Sequence, residues 1–361
     1  MTVHLVYKSG PQVSTPHAIG RKLFERLKRD FEVVLHDPSS NEEIEPAPGD
    51  ILLGHPSFDR NDFFHRALRK KGWRRTLVIH PFCPDDPDSY AHLGFVVPQC
   101  DAFLAITGRV WIDRLPQTLF REWAGKVIHL DLAVDRSNFP ALRTSETAPP
   151  GKRRFLFVGN HPHYKNVGFL NRLAGRLPEV EFHRVGPFKK RFRHLKQHGP
   201  MDFSDPEALR FAAGFDFMIS PSERDANPTT ILEAMALGLL PVAPEGSGYY
   251  ADDGVLQISG RNLSAADETI RMLQAMDVGE ILKRREENWR RLDAHYNWDR
   301  FYEVVKGALL AETKEDLALS AKTRSRLALH YLTSPRSPYS FKRFRTRLNA
   351  LLSFWKRKRR R

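Results

Sequence analysis

Residues 216–243 read DFMISPSERDANPTTILEAMALGLLPVA, and this stretch decides the fold. Asp216–Ile219 has the short apolar run of a buried strand, and Ser220–Asn227 is polar and turn-forming. Asn227 suits a helix N-cap and Pro228 the first helical position, so a helix is expected over Pro228–Leu237. Gly238 suits its C-terminal end, and Leu240–Ala243 is a further strand. A strand thus delivers a loop, and the loop delivers a helix N-terminus at the carboxyl edge of a sheet. Such an N-terminus offers free N–H groups and a positive dipole end, the chemistry of an anion site. The amides and hydroxyls of Thr229 and Thr230 are candidate donors. A plain capped helix would carry the same features, and Glu233 separates the two readings. It stands among the apolar residues of Ile231–Leu240, where a bare carboxylate is costly. Lying four residues after Thr229 and three after Thr230, it shares their helix face. Asp225 precedes it by eight residues, in the loop. Two carboxylates flanking a phosphate-type site suit a ligand with hydroxyls on both sides of a diphosphate.

The same strand–helix alternation extends in both directions. Upstream, strands are expected at Val3–Tyr7, Glu32–Leu35, Asp50–Leu53, Thr76–Ile79, Ala102–Ile106 and Val127–Leu130, with an amphipathic helix at Ile19–Leu27. After a polar stretch at Thr144–Arg154, they are expected at Phe155–Val158 and Val180–Val185, with helices at Val167–Leu177 and Pro206–Ala213. Alternation of this kind implies parallel, doubly wound sheets. A chain of 361 residues is long enough for two domains. The expected fold class is α/β: two doubly wound Rossmann-like domains facing a cleft, with a basic helical tail. The boundaries expected are 1–143 for the first domain, 144–154 for a linker, 155–312 for the second domain with its return helices, and 313–361 for the extension. His55 and His80 follow strands, where ligands meet such sheets.

The residues from Asp225 to Gly238 resemble the signature of the retaining glycosyltransferases of GT-B fold, in particular family 4 (glycosyl transferases group 1). There an acidic residue is followed, after seven others, by a Glu that opens a Leu-Glu-Ala-Met-Ala helix. Here this reads Asp225, ANPTTIL, Glu233, then Ala234-Met235-Ala236. Phe155–Val158 with Gly159 and Lys165, Val180–Gly186, Leu130–Phe139 and Tyr296-Asn297-Trp298 resemble further family elements, so the likeness covers roughly residues 1–310. It implies transfer of a sugar from a UDP- or GDP-linked donor to a saccharide or lipid-linked acceptor in surface polysaccharide or glycolipid synthesis. By resemblance Asp225 touches the donor sugar, Glu233 the ribose and Lys165 the diphosphate. Gly159, Asn160, Asn227, Thr229 and Thr230 complete the donor site. His80 matches a His near the reaction centre, although a His capping a strand end would look the same. Ser14, Thr15 and His55 are candidates on the acceptor side. The protein's main contribution would be electrostatic stabilisation of the leaving diphosphate by Lys165 and the helix amides. The nucleotide-sugar is a substrate; neither cofactor nor metal is implied, and Asp85-Asp86-Pro87-Asp88 reads as a solvated loop. The sequence departs from the family at Asp225 (commonly Glu), Asn160 (commonly Arg), Gly10-Pro11 (commonly Gly-Gly) and Pro228 (commonly Gly). His161 or His163 could stand in for the missing Arg. These departures motivate an alternative, a non-catalytic sugar-nucleotide-binding or membrane scaffold; a sugar-nucleotide epimerase is another.

The net charge of +14 attracts polyanions. Two segments mix cations with apolar residues: 58–75 (FDRNDFFHRALRKKGWRR) and 341–361, which ends KRKRRR. Basic amphipathic segments read as membrane-surface elements, so attachment to an anionic leaflet through both is expected. No nucleic-acid-reading motif accompanies the charge, so nucleic acid is not the expected partner. No apolar run is long enough to cross a bilayer and no signal-peptide layout is visible, so the expected location is cytoplasmic, peripheral on the inner face of the membrane. Cys83 and Cys100 read as buried free thiols.

Overall fold

A computed structural model describes residues 1–8, 15–57, 62–139, 147–160, 163–187, 190–312 and 320–333. In chain order the elements are β1 (Thr2–Val6), α1 (Thr15–Leu27), β2 (Glu32–His36), β3 (Ile51–Gly54), α2 (Phe63–Leu68), β4 (Arg75–Pro81), α3 (Pro87–Tyr90), β5 (Ala102–Ile106), α4 (Arg109–Arg114) and β6 (Val127–Leu130). Then follow β7 (Arg154–Val158), α5 (Val167–Arg176), β8 (Glu181–Val185), β9 (Lys196–His198), α6 (Pro206–Ala213), β10 (Phe217–Ile219), α7 (Thr229–Ala236), β11 (Leu240–Ala243) and β12 (Leu256–Gln257). The described chain ends with α8 (Leu263–Ala275), α9 (Val278–Ala294), α10 (Trp298–Leu310) and α11 (Ala321–Thr333).

Two six-stranded sheets result, ordered β2-β1-β3-β4-β5-β6 and β12-β11-β10-β7-β8-β9. In both, the order reverses beside the first strand, so each is doubly wound. β1 pairs in parallel with β2 and β3, and β7 with β8 and β10. Strands buried on both faces must be apolar throughout, and Ile51–Leu53 and Ala102–Ile106 are. β9 and β12 escape a sequence reading because they are short, mixed-polarity edge strands.

The chain divides into two units. The first comprises Met1–Ala105, Asp113–His129 and the chain from Val304 onward; the second comprises Ile106–Ile112 and Leu130–Glu303. The division therefore runs through α10. In the first unit Val6, Leu52, Val78, Phe82, Phe103, Phe120 and Trp123 form one apolar core with Phe63 and Phe64. In the second, Phe155 stacks between Phe182 and Phe217, with centroids 5.2 and 5.0 Å away, at the centre of its sheet.

Several expectations change. Arg153 and Arg154 are not linker: Arg154 opens β7, and the buried Arg153 donates to the Met276 carbonyl while its amide donates to Gln274. Asp86 is buried rather than solvated, and accepts from the Ser89 hydroxyl at 2.6 Å. In the segment 58–75, residues 58–61 lie outside the described residues. Phe63 and Phe64 sit in the core, Trp73 donates to the Ala67 carbonyl, and Arg75 is buried. The rings of Phe63 and Phe64 are thus committed to the protein interior and Trp73 packs against the same core, so none of these three rings is left to face a membrane. Cys83 and Cys100 are buried free thiols.

Candidate functional site

α7 begins at Thr229, one residue later than the sequence suggests. Pro228 takes the cap position (φ −71°, ψ 118°), leaving Asn227 in the loop. Asn227 is not a cap but a buried junction: its Oδ1 accepts from the Tyr249 hydroxyl at 2.8 Å, and its Nδ2 donates to Asp131 at 3.3 Å. A proline cap has no side chain to offer the first-turn amides, and no such side-chain bond is made. The N-terminus of α7 thus keeps its anion-binding capacity.

Lys165 ends a single helical turn after β7. Its Nζ lies 2.5 Å from Asp225 Oδ2, with both side chains largely shielded from water. Glu233 stands about one turn into α7 and is only partly exposed. Burial pushes its carboxyl up to about 7, against the pull of the nearby Lys165 ammonium. Thr230 and Glu233 line one wall of a small pocket whose other walls include Leu156, Val158, Phe203 and Met218. Lys165, Asp225, Thr230 and Glu233 therefore come together within the second unit: one cation and two carboxylates beside an open helix N-terminus. Asn160 is exposed at the end of β7. Residues 161–162 and the His163 side chain lie outside the described structure.

Two glycines shape the floor. Gly159 (φ 147°) and Gly186 (φ 148°) both adopt backbone that L side chains rarely enter. A Cβ on Gly186 would stand 2.2 Å from the Gly159 carbonyl oxygen, so the loops after β7 and β8 approach as closely as they do because Gly186 carries no side chain.

The loop bearing Asp225 is held by residues that a reading of the sequence passes over. Trp111 donates its indole N–H to the Asp225 carbonyl at 2.6 Å, and the Gly108 amide donates to the Ala226 carbonyl at 2.8 Å. Asp225 N–H in turn donates to Gly246 O at 3.0 Å. The Gly246-Ser247-Gly248 run was the available signal: Cβ atoms at Gly246 and Gly248 would collide with the Glu223 and Ala226 backbones. Glu223, two residues before Asp225 in the same loop, meets Arg261 at 2.9 Å.

In the first unit, His55 follows β3 and His80 lies within β4. Their rings stack at 4.4 Å, with Tyr7 against His55 at 5.1 Å and His92 against His80 at 5.2 Å. Burial holds His80 down at about 4, opposed by its Nδ1 contact with the Pro81 carbonyl, and lowers His55 and His92 well below the usual imidazole range. All three are neutral at pH 7. Ser14 lies outside the described residues, as does the side chain of Thr15.

Solved structures match most of the chain. A sucrose-phosphate synthase from Thermosynechococcus elongatus superposes with a TM-score of 0.66 at 13% identity, over 85% of this chain and 98% of that one. The fold is GT-B. The lipopolysaccharide outer core galactosyltransferase WaaB in its apo form gives 0.58 at 13% identity, over 86% and 99% of the two chains. An E. coli trehalose-6-phosphate protein bound with UDP-2-fluoro glucose gives 0.63 at 12% identity, over 86% and 99%. No protein-family model matches the sequence, and no curated protein does. At 12–13% identity the likeness is one of fold.

Proposed function

We propose that the chain is a retaining glycosyltransferase that takes a sugar from a nucleotide-diphosphate donor, UDP- or GDP-linked, and passes it to a saccharide or lipid-linked acceptor in surface polysaccharide or glycolipid assembly. The observation that carries this reading is Lys165 paired to Asp225 beside the uncapped N-terminus of α7, with Glu233 on the same helix. Lys165 and the amides of Thr229 and Thr230 bind the diphosphate. As the glycosidic bond breaks, negative charge grows on the leaving phosphate oxygen, and these same groups stabilise it. Asp225, released from Lys165 by the incoming phosphate, turns to the sugar hydroxyls, and Glu233 takes the ribose. Bound this way, the donor needs no metal for its charge. On the acceptor side the neutral His55 and His80 provide hydrogen-bonding nitrogens without adding positive charge. Residues 341–361 attach the protein to an anionic, inner-leaflet surface, as a lipid-linked acceptor requires.

Thermal melting against UDP-, GDP- and ADP-sugars, beside Lys165→Ala and Glu233→Ala, tests the site. A donor at one hundred times its Kd adds about 2.7 kcal/mol to the folded state. A rise in Tm with one donor, lost in both variants, is expected; no rise with any donor in a folded sample overturns the reading. A second reading, donor binding without transfer, is favoured by Asp225 itself, which neutralises the cation that a leaving diphosphate needs. Donor binding with neither hydrolysis nor transfer product would select it.

A further inference from the structure

The chain's charge is segregated. After Leu319 the sequence holds fourteen of its 57 Lys and Arg and none of its 43 Asp and Glu, so residues 1–319 are balanced and the whole +14 lies at one end. α11 is the part of this end that the structure describes, and it is fastened in one orientation. Thr323, Leu327 and Tyr331 form its buried row. Glu122 accepts from the Ser320 amide and hydroxyl at 2.8 Å and from the Thr323 hydroxyl at 2.5 Å. Phe95 meets Tyr331 edge-on at 5.2 Å.

That fixed row determines what points away. Ser325, Leu329 and Leu332 recur at helical spacing on the opposite side, with Leu329 60% and Leu332 37% exposed. Lys322 and Arg326 flank the two leucines on one side and Arg324 on the other, all exposed. Beside Arg324 a groove of about 390 Å³ opens over Gly94, Phe95, Leu327 and Ala328, an apolar floor with a cation at its rim. Exposed leucines bordered by cations, on a helix that has no acidic residue of its own and meets Asp88 only through His330 at 3.6 Å, suit a surface that is anionic at its face and apolar just beneath. Nucleic acid would use the cations but would leave the leucines in water.

We propose that α11 is a lipid-docking face: Leu329 and Leu332 enter the headgroup boundary of an anionic bilayer while Lys322, Arg324 and Arg326 meet its phosphates. The inference rests on, and deepens, the assignment of residues 341–361 to a membrane surface. α11 supplies the rigid contact that fixes how the first unit faces the lipid, and the basic residues that follow it add attraction.

The full chain is sedimented with phosphatidylcholine vesicles, with and without about one quarter phosphatidylglycerol. Binding is expected only with phosphatidylglycerol. Leu329→Ala/Leu332→Ala weakens it by about tenfold or more, and Leu329→Glu/Leu332→Glu abolishes it. Both leucines are exposed, so the melting temperature of these variants stays at the wild-type value, which separates lost docking from lost folding. Replacing the six terminal basic residues, Lys356 to Arg361, with Gln weakens binding independently. If the leucine variants bind like wild type while the terminal variant does not, α11 is no docking face and the tail acts alone. If the wild type sediments with neither vesicle, or binds short duplex DNA at a salt concentration where it ignores vesicles, both the docking face and the membrane assignment fall. Donor binding in the melting assay is indifferent to all of these variants.

Discussion

Lys165 and Asp225, sixty residues apart in sequence, meet at 2.5 Å, so the cation proposed to bind the diphosphate is neutralised by the carboxylate proposed to meet the sugar. A phosphate must displace Asp225 to reach Lys165. Asp225→Asn should therefore bind free UDP or GDP as well as wild type or better, yet lose transfer. Lys165→Ala should lose a charge-assisted bond of about 1.5–3 kcal/mol, roughly ten- to a hundredfold in Kd. Calorimetric titration of the nucleoside diphosphate separates the two; equal weakening in both variants would contradict displacement.

Trp111 holds the Asp225 carbonyl through its indole N–H. Trp111→Phe keeps an aromatic ring and removes the donor, leaving a carbonyl without that partner. A stability loss of about 1 kcal/mol is expected. If Asp225 acts on the sugar, kcat should fall while nucleotide affinity stays near wild type. A change in Kd alone would assign Trp111 to packing.

Gly186 and Gly307 make opposite predictions for the same substitution. A Cβ at Gly186 strikes the Gly159 carbonyl and the backbone there has φ 148°, so Gly186→Ala should destabilise by about 2–4 kcal/mol and impair donor binding. Gly307 lies within α10 with no atom near its missing Cβ, so Gly307→Ala should stabilise by about 0.5–1 kcal/mol. Chemical denaturation with matched m-values checks both.

Stability should respond to pH in opposite senses through two groups. The His80 imidazole is held at about 4 when folded and returns to about 6.5 when unfolded. The unfolded chain then binds more protons between those values, so this contribution, up to about 3 kcal/mol, is present above pH 6.5 and lost as pH falls toward 4. Glu233 is raised from 4.5 to about 7, so the folded chain holds the extra proton. Its contribution is present below pH 4.5 and lost as pH rises to 7, again by up to about 3 kcal/mol. Glu233→Gln should flatten the decline between pH 4.5 and 7, and His80→Asn should lessen the acid loss, to which His55 and His92 also contribute. Denaturation midpoints measured from pH 4 to 8 would show it; an unchanged profile in Glu233→Gln would place the carboxyl in water.

Much of this was legible in the residues. Uninterrupted apolar runs such as Ile51–Leu53 and Phe217–Ile219 mark strands buried on both faces, and their alternation with helices implies a parallel sheet before any coordinate is known. Asp225, Thr230 and Glu233 share one loop and helix, so local periodicity alone brings them to one place. Where a sequence reading went astray, long-range packing had intervened. Phe63, Phe64 and Trp73 sit among cations in the sequence and read as amphipathic, but the fold turns their rings inward. Asn227 has the chemistry of a cap, yet Tyr249 and Asp131 claim its amide.

The sequence by itself determined the two doubly wound sheets and the loop–helix unit that gathers Asp225, Thr230 and Glu233, because periodicity and capping act over a few residues. Only the tertiary structure decided that Lys165 neutralises Asp225, that Trp111 and Gly108 hold its loop, and that α11 turns Leu329 and Leu332 outward. Those relations join residues tens to hundreds of positions apart. Neither propensity nor periodicity reaches so far; they are set by which surfaces must be buried together once the sheets have formed.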